Sequence, residues 1–154
     1  NVGAQIAERI RAIISDLKED PTLLEPTFDR DQLEQRTKKL REKGKVKKPA
    51  GSTSVRKQES KHYSYERDPA VRAWVLDEAK GICELCGNSA PFTDADGKPF
   101  LEVHHVVPLA ISLKDTTDNA VALCPNCHRR CHHSADKDVV LEQLYAKVKR
   151  LVRV

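Results

Sequence analysis

The chain has 154 residues and a formal net charge of +4, enough for one ordinary domain or one small domain with an appendage. Only 5% of it is aromatic and 39% hydrophobic, which excludes one continuous core running through all of it. No apolar run approaches the roughly 20 residues of a membrane-crossing helix, and no basic-then-apolar leader opens the chain, so the reading is a cytoplasmic protein without a membrane partner.

The sequence opens at Asn1 and contains no Met, from which we expect the natural start, and room for a further domain, upstream. Residues 4–19 are predicted to form an amphipathic helix, because Ile6, Ile10, Ile13, Ile14 and Leu17 recur at three- and four-residue steps. Pro21 and Pro26 break the chain. A second helix is predicted from about Asp29 to Lys43, with Leu33, Thr37 and Leu40 on one side and Gly44 as a stop. Neither stripe is wide enough to stand alone. The helical segment 1–44 is therefore expected to pack on a partner, either a second copy in a homodimer through these helices or a missing domain.

Residues 45–62 carry Pro, Gly, Ser and Lys without apolar periodicity and read as a flexible basic linker. Between Arg36 and Lys61, eleven Lys or Arg face only Glu42 and Glu59, a local +9 that leaves −5 for the remainder. Such density, with Lys45, Lys47 and Lys48 at its centre, fits the electrostatic footprint of a polyanion; a solvated linker fits it equally well.

Structure is expected to resume over residues 63–154. Asp68 and Pro69 mark a helix start, and Val71, Trp74, Val75 and Ala79 make its buried stripe up to Gly81. Cys83 to Gly87 reads as a tight zinc knuckle. Residues 100–105 and 120–123 are predicted strands. Pro125 opens a helix running through His132, and a last amphipathic helix spans about Asp138 to Leu151 on Val140, Leu144, Val148 and Leu151.

Five cysteines fall within 49 residues, an odd number in a chain without a leader, which disfavours disulfides. Cys83, Cys86, Cys124 and Cys127 form two C-x-x-C pairs and supply the four thiolates of a structural Zn²⁺ site, a redox dithiol being the lesser reading. The 37 residues between Cys86 and Cys124 exceed a zinc ribbon's gap of roughly 15–20, so something else is built between the pairs. The insert and the helix after it hold five of the six histidines. His104 and His105 are adjacent on a predicted strand, point to opposite faces, and must do different jobs. His128 and His132, four apart on a helix, share a face and can bind one ion. Cys131 reads as a small core residue and His133 as a surface residue, the substitute ligand if His132 is displaced.

Glu102-Val-His-His105-x-x-Pro108, Asp118-Asn119, and Val-Ala-Leu-Cys124-Pro-Asn-Cys127-His128 with His132 four residues on closely resemble the HNH endonuclease family. The two C-x-x-C pairs and the lead-in from Tyr65 to Trp74 are most similar to its McrA-type modification-dependent restriction branch. The resemblance covers roughly residues 63–135. It implies an α+β fold: a ββα-metal finger with a structural zinc site, flanked by helices and preceded by the N-terminal helical segment. It also implies His105 as general base, Asn119 as brace of the loop between the strands, and His104, His128 and His132 as ligands of a catalytic divalent ion, Mg²⁺, Mn²⁺ or another transition metal. Arg129 and Arg130 are candidates for flanking DNA phosphates, though solvated surface arginines fit their pattern as well.

The leading expectation is therefore a metal-dependent DNA endonuclease, the cleavage domain of a modification-dependent restriction enzyme whose reader lies upstream. The alternatives are a non-catalytic zinc-stabilised DNA-binding module, a structural zinc domain, or an HNH nuclease of homing or phage type.

Overall fold

Caps and prolines set where the helices begin. The computed structural model describes residues 2–17, 21–44 and 46–153, and the chain divides into two units, residues 1–61 and 62–154. In the first unit, α1 (Val2–Leu17) and α2 (Arg30–Glu42) form where the apolar spacing puts them. The Asp29 carboxylate caps α2 by accepting from the Gln32 amide at 2.8 Å. α2 buries none of its residues, and Ile6 and Ile10 of α1 are half exposed, in keeping with stripes too narrow to stand alone. The side chains of Ile13, Ile14 and Leu17, and Lys45 altogether, lie outside the described residues. Residues 46–61 carry neither helix nor strand; within them Arg56 sits over the Phe28 ring, 5.5 Å from its centroid.

In the second unit α3 (Pro69–Ala79) starts at Asp68, which accepts from the Ala70 amide at 2.7 Å, with Pro69 in the first turn. It ends on two successive left-handed residues, Lys80 (φ 51°) and Gly81 (φ 76°). A Cβ at position 81 would meet the Pro99 side chain at 3.0 Å, so this turn requires glycine for space as well as for φ. The knuckle follows: the Gly87 N–H donates to the Cys83 carbonyl and the Cys83 N–H to the Asn88 carbonyl, both at 2.8 Å. A small hairpin with a Thr93–Pro99 bridge and stacked Phe92 and Phe100 rings leads into the sheet, a feature that the apolar spacing does not announce.

β1 (Glu102–His105) pairs antiparallel with β2 (Ala120–Leu123), Glu102 opposite Leu123 and His105 opposite Ala120. Between them lie the short α4 (Leu109–Ser112) and a 3-10 turn over Thr117–Asn119. α5 (Pro125–His133) and α6 (Lys137–Lys147) complete the chain. β1, β2 and α5 make the ββα unit, and the class is α+β. All four β2 side chains are buried, as a short apolar run covered on both faces should be. Val75, Ala79, Leu85, Leu101, Val106, Val140, Leu144 and Val148 complete the core around it.

Two expectations are corrected. Trp74 is not part of the buried stripe: it is 45% exposed, because Val71, Val75 and Ala79 already fill the inward row and Trp74 lies beside it, under the Arg150 guanidinium at 5.5 Å. The last helix stops at Lys147 rather than Leu151, since the backbone turns extended at Val148. That bend brings Arg150 to the knuckle. Its guanidinium donates to both Glu84 carboxylate oxygens at 2.6 and 2.7 Å, and also to the Thr117 and Ala120 carbonyls. Glu84 in turn accepts from the Ala122 amide at 2.8 Å, and its own amide donates to the Ala122 carbonyl at 3.0 Å. One ion pair thus ties knuckle, sheet and C-terminus. Arg150→Ala strands a largely buried carboxylate and should lower unfolding stability of the zinc-loaded chain by about 3 kcal/mol. Arg150→Lys should recover only part, because an ammonium cannot reproduce the fork. Denaturant melts of both variants check this.

Candidate active site

The first donor cluster is built by the knuckle and the start of α5. Cys83 and Cys86 come from the turn. Cys124 is the N-cap of α5, its sulfur accepting from the Cys127 amide at 3.5 Å, and Cys127 sits in the first helical turn. The four sulfurs lie within 4.8 Å of one another. Tetrahedral zinc with Zn–S bonds of about 2.3 Å places its sulfurs roughly 3.8 Å apart, so the set fits four-coordinate zinc and leaves no open position. Burial pushes the Cys124 and Cys127 thiols up. At Cys83, burial works in the same direction, but hydrogen bonds from the backbone of Cys124, Cys86 and Leu85 outweigh it and bring the thiol down to about 7. Four thiolates at this spacing need a cation to share, and a divalent ion supplies it. Cys131 is half-buried against the core and stands outside this set, as the sequence suggests.

The second cluster lies where α5 passes β1. The ligating nitrogens of His104, His128 and His132 also fall within 4.8 Å of one another, with the Nε2 atoms of His128 and His132 3.2 Å apart. Two nitrogens bound at about 2.1 Å to one ion stand roughly 3.0–3.4 Å apart, so this spacing fits a shared metal. Burial, then the neighbouring His132, His128 and His105, depress His104 to about 3, and burial, then His128, His133 and Arg129, depress His132. Neutral imidazole is the form that ligates. His128 is oriented from behind: its Nδ1 lies 2.7 Å from the Glu102 carboxylate, which holds the proton there and leaves Nε2 free. His133 is exposed and outside the trio, its ring 6.1 Å from that of His132.

His105 points to the other face of the strand, as alternation requires. Its Nε2 lies 2.7 Å from the Asp115 Oδ1, and the other Asp115 oxygen accepts from the Asp68 amide at 2.6 Å. Partial burial acts to raise the Asp115 carboxyl, but the hydrogen bonds from His105 and the Asp68 amide, with the charges of His105 and Arg67, hold it below its ordinary range. A cavity of about 200 Å³ opens beside the pair, lined by Arg67, Arg72 and Val103 among others. Asn119, buried, fastens the loop that follows His105. Its Oδ1 accepts from the Val107 amide at 2.9 Å, and its Nδ2 donates to the carbonyls of Val107 and Lys114 at 2.9 and 3.0 Å.

The structure therefore brings the four cysteines together and the three histidines together, and sets His105 and Asn119 beside them. Arg129 is exposed on α5, whereas Arg130 is paired with Asp136 at 2.5 Å and has its guanidinium occupied. Lys47 and Lys48 are exposed in the first unit. Asp115 is missed by sequence reasoning, because nothing in a loop carboxylate ten residues from His105 announces the pairing. For Glu102 a signal exists: two residues before His104 on one strand, it shares that histidine's face.

Residues 83–134 match the family model of the HNH endonucleases. Over 129 residues the chain is 49% identical to the type IV methyl-directed restriction enzyme EcoKMcrA of Escherichia coli K12, an alignment that covers 84% of this chain and 46% of that protein. Its fold is similar to that of the type IV phosphorothioation-dependent restriction endonuclease ScoMcrA, with a TM-score of 0.51 and 29% identity over 86% of this chain and 29% of that one. The chain thus spans about half the length of the curated relative it matches.

If the four sulfurs hold zinc, Cys83→Ala or Cys124→Ala should abolish the cooperative melt of the second unit and leave less than one zinc per chain. Apparent zinc binding of about 10 kcal/mol or more is coupled to folding in sites of this kind. Native mass spectrometry and thermal unfolding of both variants read the two quantities.

Proposed function

Because residues 83–134 form a domain of the HNH endonuclease family, we propose that the chain is a metal-dependent DNA endonuclease, the cleavage part of a modification-dependent restriction enzyme. The observation that carries the reading is the division of β1: His104 joins His128 and His132 on one face, while His105 stands on the other beside Asp115. A zinc-stabilised DNA reader needs only the cysteine site and would leave this second cluster, with its orienting Glu102, without purpose.

In this reading the cysteine site carries structural zinc, and His104, His128 and His132 hold the catalytic ion. Three imidazole donors suit a first-row transition ion such as Ni²⁺, Co²⁺ or Zn²⁺ better than Mg²⁺, which prefers oxygen ligands. Such an ion, when bound, would supply positive charge near the phosphate and the departing oxygen. His105 takes a proton from water through its nitrogen remote from Asp115. The water oxygen bonds to phosphorus as the bond to the leaving sugar oxygen breaks. Asn119 keeps the loop after His105 fixed, so that the base holds its orientation. Arg129, free of an ion pair among the described residues, and the basic residues Lys45, Lys47 and Lys48 serve as phosphate contacts. Both relatives are named for cleavage directed by DNA modification, which supports the same role here. The exposed Ile6 and Ile10 would be the surface for a second copy.

His105 should fail differently from His104 and His128. His105→Ala should bind the ion and DNA normally while losing cleavage by about two to four orders of magnitude, the usual worth of a positioned base. His104→Ala and His128→Ala should lose ion affinity, with cleavage partly restored by excess divalent ion. Calorimetry and cleavage of supercoiled plasmid on all three read this; normal cutting by all three would leave the DNA-reader alternative standing. The basic segment should act on affinity alone. Neutralising Lys45, Lys47 and Lys48 together should weaken binding alike for every DNA sequence. It should also flatten the salt dependence, by about one log–log unit for each phosphate no longer neutralised.

A further inference from the structure

We propose that Asp115 is the positioning residue of the reaction: its carboxylate fixes the tautomer and ring orientation of His105, so that one defined nitrogen faces the attacking water. The proposal rests on the reading of His105 as general base. An imidazole on a strand end has two nitrogens and a rotatable ring, and without a partner it samples both tautomers and several orientations. Here one nitrogen is committed. The 2.7 Å contact between His105 Nε2 and Asp115 Oδ1 places the neutral ring's proton on Nε2, because an ionised carboxylate only accepts, and leaves the Nδ1 lone pair free.

The carboxylate is itself held in place. Its second oxygen accepts the Asp68 amide at 2.6 Å, so the start of α3 anchors Asp115 from one side. The preceding residue, Lys114, is anchored from the other through its carbonyl, which accepts from Asn119 Nδ2 at 3.0 Å. Both side chains of the pair are largely shielded, 11% exposed for His105 and 17% for Asp115, so water competes poorly for the contact. Asn119 therefore braces the base through the segment that carries its partner, as well as through the Val107 backbone. When His105 accepts the water proton on Nδ1, both ring nitrogens bear protons, and the Nε2–H remains donated to Asp115. The carboxylate then faces an imidazolium it stabilises, and no proton need pass to it.

Three variants of the zinc-loaded chain test this: Asp115→Ala, Asp115→Asn and His105→Ala. Each is measured for plasmid cleavage with added divalent ion, for DNA affinity, and by ¹⁵N NMR of the histidine rings before that ion is added. Asp115→Ala should lower turnover about 10²-fold, the cost of a misplaced reacting group, at unchanged DNA affinity. Its His105 signals should move from the Nε2–H form to a tautomer mixture. Asp115→Asn has one amide oxygen where the carboxylate has two: with that oxygen kept on the Asp68 amide, its NH2 faces Nε2, so the His105 signals should move to the Nδ1–H form and turnover should fall at least as far as in Asp115→Ala. The Asn variant also controls for the fold, since it retains the anchor to α3. The proposal is overturned if His105→Ala abolishes cleavage while Asp115→Ala cuts like the parent with the His105 signals unmoved. If His105→Ala itself cuts normally, the base reading falls, and the role of Asp115 falls with it.

Discussion

The meeting of two thiol pairs, separated by an insert of 37 residues and closed to within 4.8 Å, is the constraint from which the geometry of the second unit follows. Cys124 is at once a member of that set and the N-cap of α5, so the junction fixes where the helix starts and which way it runs. His128, one turn past Cys124, and His132, one turn further, then fall on the side facing His104. The helix has nine residues and buries only Cys127, too short and too polar to hold its place by packing alone. A zinc ion held by the four sulfurs, as proposed, would contribute what the small core lacks, and the Arg150–Glu84 pair repeats the tie from the C-terminal side.

Strand alternation does the second piece of work. On β1, Glu102 and His104 share one face and Val103 and His105 the other, so four consecutive residues separate the histidine trio from the His105–Asp115 pair by the thickness of one backbone. The electrostatics of the two sides differ accordingly. The trio is crowded, with burial holding His104 and His132 toward the neutral form and Glu102 standing behind His128, a set that gains by sharing a cation. The other side pairs one imidazole with one carboxylate beside a cavity bordered by Arg67 and Arg72.

Much of this was legible in the sequence, because local rules and spacing carry it. The helix starts at Asp68-Pro69 and Pro125, the alternation at His104 and His105, and the four-residue step from His128 to His132 are short-range facts that survive folding unchanged. What stayed hidden depends on contacts between distant segments. Trp74 fits the helical period, yet lies beside a row that Val71, Val75 and Ala79 already fill, where Arg150, 76 residues later, returns to cover its ring. Asp115 sits in an irregular loop whose path is decided by Asn119, and Glu84 looks like any polar residue of a knuckle until the bend at Val148 delivers its partner. Arg130 shows the reverse: a basic residue near the site reads as available, while Asp136 six residues on already occupies it.

In the proposed reading, two metal centres of different chemistry divide structure from catalysis. Brief dialysis against a chelator, followed by metal analysis, thermal melting and plasmid cleavage on the same sample, tests it most directly. Cleavage should disappear while one zinc per chain and the cooperative melt persist, and adding a divalent transition ion should restore cutting. Cleavage that continues unchanged after the histidine-bound ion is gone, or that disappears only in step with the cysteine-bound zinc and the fold, would contradict it.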